Sequence, residues 1–142
     1  MKTISREEFE KRNVFGTGAE NTGFAQYFIG NSYLNPLTDP KNCAVFMANV
    51  TFEPGCRNHW HIHHKSGQIL LCTMGRGYYQ EWGKPAQELK PGDIVCISPE
   101  VKHWHGAAKD RWFTHISVEI PAKDSSNEWL EAVDENEYNQ LG

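Results

Sequence analysis

The stretch that decides the fold runs Gly55-Cys56-Arg57-Asn58-His59-Trp60-His61-Ile62-His63-His64-Lys65-Ser66-Gly67-Gln68, and its frame closes on Gly75. Alternate residues of a strand share a face, so His61 and His63 offer two imidazoles side by side. Gln68 opens the next strand after a Lys65-Ser66-Gly67 turn. A second block, from Gly92 through Pro99 to Lys102-His103-Trp104-His105-Gly106, delivers His103 from a distant hairpin. All seven histidines of the 142-residue chain lie between His59 and His115. Neutral imidazole binds zinc, iron, manganese, copper and nickel. A lone histidine on an apolar strand is more often an ordinary core residue. Three of them with a glutamine, in two glycine-framed blocks, point to a metal site inside a small barrel.

Around these blocks the sequence reads as short strands separated by turn signals roughly every 8–12 residues, the pattern of an all-β sandwich or barrel. Strands are expected at 43–52, 59–64, 68–74, 78–82, 86–89, 94–97, 103–107 and 112–120. Lys90-Pro91-Gly92-Asp93 places Pro and Gly at the centre of a type II turn. Ser5-Arg6-Glu7-Glu8 is a capping box that predicts a short helix to Arg12. From Val14 to Pro40 the chain is rich in Gly, Asn and Pro and reads as a wrapping arm with one or two edge strands. The tail carries two helix starts, one at Ser126 or Asn127 and one at Asp134. The expected organisation is one domain over 1–142, with a core at about 43–121, an arm at 1–42 and a helical tail at 122–142.

Composition excludes other classes. The formal charge is −4, and no Lys/Arg run marks a nucleic-acid surface. No apolar stretch approaches the roughly 18 residues of a membrane span. Met1–Arg12 is polar and charged, unlike a secretory leader, so a cytoplasmic protein is expected. Cys43, Cys56, Cys72 and Cys96 form no CxxC pairing and are expected as reduced thiols, mostly packed as small hydrophobes.

These blocks resemble the two motifs of the cupin family over roughly Phe46 to Pro121. Thr51-Phe52-Glu53-Pro54-Gly55, Trp60-His61-x-His63, Gln68, Pro91-Gly92-Asp93 and Lys102-His103-Trp104-His105-Gly106-Ala107 resemble a narrower group. It comprises the small cupins named for carboxymuconolactone decarboxylase and the manganese-dependent bacterial hydroxynitrile lyases. The resemblance implies a double-stranded β-helix (jelly-roll) barrel. It also implies one divalent transition ion held by His61, His63, Gln68 and His103. Manganese is the expected ion, with iron, zinc, nickel and cobalt as alternatives. Many cupins carry Glu where Gln68 stands. Four neutral donors leave a divalent ion its full charge, which favours Lewis-acid over oxygen chemistry.

Trp112–Ile120 alternates His115, Ser117 and Glu119 on one face with Thr114, Ile116, Val118 and Ile120 on the other. The polar trio is expected to face a cavity, with His105 and His115 moving protons and Glu119 acting as a base or charge compensator. Glu119 departs from the Gln frequent in the lyases. By resemblance, Ala48 and Val50 line the pocket, and small apolar walls suit a small organic substrate. Tyr78, Tyr79, Trp82, Trp104 and Trp112 are read as core, His59 as a rim residue and His64 as exposed. The expected activity is a metal-dependent lyase or decarboxylase acting on a small hydroxy or carbonyl compound. The alternatives are a dioxygenase, a small-molecule-binding module and a metal-stapled fold. A homodimer or homotetramer is expected, because the arm carries Phe24, Tyr27, Phe28, Tyr33 and Leu34 outside the motif-bearing sheet.

Overall fold

A computed structural model describes residues 4–142. The predicted N-terminal helix is α1 (Arg6–Arg12), capped where Ser5 Oγ accepts from Glu8 N at 3.2 Å. The arm then supplies β1 (Ala19–Glu20), a 3₁₀ turn at Ala25–Tyr27, β2 (Phe28–Ile29) and β3 (Ser32–Pro36). The body consists of β4 (Phe46–Phe52), β5 (Arg57–Asn58), β6 (His61–His64), β7 (Gln68–Gly75), β8 (Gly77–Glu81), β9 (Gln87–Leu89), β10 (Ile94–Ile97), β11 (His103–Ala107) and β12 (Phe113–Glu119). The tail adds β13 (Ser126–Trp129) and α2 (Glu135–Asn139).

Two antiparallel sheets result. One runs β1-β3-β4-β12-β7-β10; the other runs β13-β6-β11-β5-β2, with β8 paired to β11 and β9 to β8. The all-β architecture matches the sequence reading, and two of its differences have clear causes. The strand expected from Cys43 begins only at Phe46, because Thr38 Oγ1 donates to Val45 O and accepts from Met47 N, holding the preceding segment as a loop. The helix expected from Ser126 or Asn127 is instead the strand β13. It pairs antiparallel with the edge of β6, Asn127 opposite His63 and Trp129 opposite His61. Pairing with an open sheet edge overrides a local helix signal, because it satisfies backbone donors on both strands. The second tail helix forms as expected, with Asp134 Oδ1 accepting from Glu137 N at 3.0 Å.

The main core lies between the sheets and includes Val50, Phe52, Leu70, Tyr79, Leu89, Val95, Ile97 and Phe113. A second cluster of Trp60, Tyr78, Trp104, Ala108, Val133 and Tyr138 packs the tail against the other side of β11. Of the predicted core aromatics only Trp82 is exposed, edge-on to Trp60 with the Lys102 ammonium 3.5 Å from its ring centre. Phe9, Tyr33 and Trp112 form a third cluster under α1. All four cysteines are free, but only Cys56 and Cys72 are buried; Cys43 is exposed before β4 and Cys96 faces outward beside Ile94, so half of them do not pack as expected. Gly75 has φ +82°, and a Cβ there would stand 1.9 Å from the Trp112 carbonyl oxygen. Only glycine lets β7 turn into β8 at that point. Among the described residues, no helix is long and apolar enough to cross a membrane.

Candidate metal centre

Strand alternation on β6 turns His61 and His63 inward, while Ile62 and His64 are only half-buried. On β11 the same alternation puts His103 and His105 on the face opposite Trp104, and the register sets His103 against His61. The His61 ring centroid lies 4.2 Å from that of His103 and 5.1 Å from that of His63; His63 and His103 are 5.3 Å apart. His61 and His63 border a cavity of about 370 Å³ between the sheets, and His103 stands beside His61. Gln68 from β7, Ala48 and Val50 from β4, and His115, Ser117 and Glu119 from β12 line it as well. The structure therefore brings all but one of the sequence-predicted site residues to one cavity, and the exception, His103, stands against His61. His59 is half-buried, as befits a rim position. His64 is less exposed than expected, tied by Nδ1 to Glu100 at 2.5 Å and by Nε2 to Glu128 at 2.7 Å.

Hydrogen bonds fix where the imidazole protons sit. His61 Nδ1 donates to His59 O at 2.7 Å, His103 Nδ1 to Val101 O at 2.8 Å and His63 Nδ1 to Asn127 Oδ1 at 2.7 Å. Carbonyl oxygens only accept, so each ring carries its proton on Nδ1 and keeps a lone pair on Nε2. Gln68 Nε2 donates to Ser117 Oγ at 2.6 Å, which turns the amide oxygen the other way. His63 Nε2, His103 Nε2 and Gln68 Oε1 are buried with no hydrogen-bond partner. A buried acceptor left unpaired is costly, and a ring of them is what a cation needs. The donor set fits a divalent transition ion.

Ring nitrogens of His61, His103 and His105 form a triangle, all within 4.8 Å of one another. His105 nevertheless differs chemically from the other two. The Asn58 side-chain oxygen accepts from His105 N at 2.9 Å, which orients the Asn58 amide to donate to His105 Nε2 at 3.3 Å. An Nε2 that accepts leaves the ring proton on Nδ1, so neither nitrogen offers a free lone pair. Burial lowers the pKa of His61 and His105 well below 6.5 and brings His103 and His115 down to about 4; neighbouring imidazoles reinforce the shift for His61, His103 and His105. All four are neutral at pH 7, the form that ligates metals and accepts protons.

The Cupin domain family model matches residues 48–118, half the chain. The (R)-mandelonitrile lyase of Granulicella tundricola is 40% identical over 124 residues, covering 87% of this chain and 94% of that enzyme. The chain is a cupin. A solved cupin-like protein from Thermotoga maritima is 43% identical and superposes with a TM-score of 0.81, over 89% of this chain and 95% of the other. A cupin 2 conserved barrel domain protein of Rhodopseudomonas palustris shares the fold at 18% identity, with a TM-score of 0.68 over 87% of this chain and 88% of the other.

In this cupin the cavity has further walls that sequence reasoning missed. Phe24 and Phe28 come from the arm, Asn58 from β5, and Asn127 and Trp129 from β13. Trp129 lies with its ring 4.6 Å from His61 and stacks on Tyr27 at 4.6 Å. The signal for Asn58 was its place within the histidine block. For the tail residues there was no local signal, since their role arises from pairing with β6.

Proposed function

We propose that this cupin is a metal-dependent lyase that cleaves a small hydroxy compound, a cyanohydrin being the leading candidate. The observation that carries this reading is the set of neutral donors, three Nε2 lone pairs and one amide oxygen, brought together at an apolar-walled cavity. His61, His63, Gln68 and His103 would hold one divalent ion, manganese in this reading, which would supply Lewis-acid polarisation of a substrate oxygen. None of the four side chains carries a negative charge to offset that of the ion. The relationship to a mandelonitrile lyase at 40% identity supports the choice of substrate class.

A cyanohydrin that breaks into a carbonyl compound and hydrogen cyanide gives up its hydroxyl proton, and the departing cyanide takes one. The site therefore needs one group to accept a proton and one to donate. His115 is fully buried and neutral, with both ring nitrogens free of hydrogen-bond partners, which suits it to accept. His105 keeps a hydrogen on Nδ1 because Asn58 occupies Nε2, so it can hydrogen-bond the departing cyanide, while the proton that His115 has taken from the hydroxyl is the one passed on to the cyanide. Glu119, exposed at the cavity's edge, is a base or charge-compensating group. Ala48 and Val50 keep the wall small and apolar, and Phe52 packs against both His105 and His115. Of the arm residues expected to need cover, Tyr33 is buried and Tyr27, Phe28 and Leu34 are half-buried within the chain. Phe24 stays exposed together with Val14, Phe15 and Ile29, which supports a homodimer or homotetramer; light scattering tests that assembly.

The deciding experiment is elemental analysis of untagged protein, followed by assays of mandelonitrile cleavage and oxygen uptake with the metal found. One divalent ion per chain with release of benzaldehyde is expected. Oxygen uptake with a phenolic or diketone substrate, and no cyanohydrin cleavage, would overturn the reading in favour of a dioxygenase.

A further inference from the structure

The three imidazoles are not supported in the same way. His61 and His103 each donate Nδ1–H to the carbonyl two residues earlier in their own segment, His59 and Val101. Those supports come with the local backbone. His63 does not use its own segment and reaches Asn127, 64 residues later in the chain, at 2.7 Å. Asn127 sits on β13 directly opposite His63, and Trp129 of the same strand lies opposite His61 with its ring 4.6 Å from that imidazole. The strand is itself fastened twice. Glu128 pairs with His64 Nε2 at 2.7 Å, and Trp129 stacks on Tyr27 at an interplanar angle of 4°.

We propose that β13 is a strap that completes the metal cage, with Asn127 the positioning residue that holds His63 in its ligating tautomer. The inference rests on the metal-binding part of the function proposed above and not on its chemistry. Without an acceptor at Asn127, the His63 proton is free to move to Nε2, and that nitrogen then has no lone pair to offer. Partners of this kind orient a ligand and raise its basicity, and their loss typically weakens metal binding roughly 10–100-fold. Asn127 is exposed on an edge strand, so its substitution leaves the three packed clusters intact.

Two measurements test the strap. The first is Mn²⁺ affinity by chelator competition for wild type, Asn127→Leu, Asn127→Asp and His63→Ala. Asn127→Leu should bind about 10–100-fold more weakly, while Asn127→Asp, which keeps an acceptor, should stay within a few-fold of wild type. Adding Asn127→Leu to His63→Ala should cause no further loss. Equal affinity of Asn127→Leu and wild type, or an Asp variant as weak as the Leu variant, would overturn the proposal. The second is the His63 tautomer in metal-free protein, read from imidazole ¹⁵N shifts. Asn127→Leu should shift His63 away from the Nδ1–H form seen in wild type, and an unchanged tautomer would sink the strap. If wild type binds no metal, the proposed function falls, whereas the tautomer measurement still decides what Asn127 does.

Discussion

The two faces of β11 carry opposite solutions to burial. On the outer face Trp104 is fully buried, with Nε1 donating to Gln80 Oε1 at 2.8 Å, and nearby Tyr138 donates its hydroxyl to Ala107 O. On the inner face His103 and His105 are buried just as deeply, yet His103 Nε2 and His105 Nδ1 have no partner, and across the cavity neither has either nitrogen of His115. One face is finished as structure. The other retains unpaired polar atoms of a kind that folding alone disfavours, and they gather where the ligand spacing lies. Buried polar groups are uninformative in general, but unpaired ones grouped on one face mark a site.

The largest effect should come from breaking the inner face. His103→Ala or His61→Ala should lose most of the bound metal by elemental analysis and nearly all lyase activity, while the fold persists by circular dichroism. Full metal occupancy in both variants would remove the ligand assignment. On the outer face the prediction is reversed. Trp104→Ala should cost about 3–5 kcal/mol in denaturant unfolding, with unchanged metal stoichiometry in the protein that remains folded. A variant at Trp104 that sheds metal without losing stability would erase the contrast between the faces.

The sequence made this contrast legible only in part. His61, His63 and His103 could be found because β6 and β11 alternate strictly and their histidines share a parity. His115, Ser117 and Glu119 followed from the same alternation on β12, Gln68 came only through the resemblance to the cupin motif, and the strand boundaries agree within a few residues. β13 was not legible, because Ser126-Asn127-Glu128-Trp129 carries a helix-start signal and its strand state exists only through β6. The pairing of Asn58 with His105 was hidden for a related reason: it spans 47 residues and depends on β5 lying beside β11. Local chemistry reveals which residues a strand turns inward. It does not reveal which distant residue supports them.

A finer prediction concerns ligand charge. Gln68→Glu should keep or tighten metal, since carboxylate is the better ligand for hard divalent ions, yet slow cleavage about 10-fold, equivalent to ~1.4 kcal/mol in the barrier. The loss should appear in the chemical step under single-turnover conditions. An unchanged or faster lyase rate would argue against Lewis-acid chemistry.

The smallest expected effect is on acid stability. His115 has its pKa lowered to about 4 in the folded chain by burial, against 6.5 when exposed. Between those values the unfolded chain binds the extra proton, so stability is full above about pH 6.5 and falls as pH drops towards 4. His115→Phe, beside Phe52 and Phe113, should flatten that slope by up to one proton in metal-free protein, measured by denaturant melts across this range. An unaltered slope would mean that other buried imidazoles carry the effect.

The Tyr27–Trp129 stack joins the first third of the chain to its last fifteen residues behind the Trp129 wall of the cavity. The family match spans residues 48–118 and contains His61, His63, Gln68 and His103, whereas Phe24, Phe28, Asn127 and Trp129 lie outside it. The shared cupin segment thus carries the proposed ligands, and the two flanking segments carry part of the cavity wall. Such a division makes that part of the wall exchangeable. A chimera that takes both flanks from a relative, and nothing between them, would redraw the outline of the cavity around an unchanged histidine set.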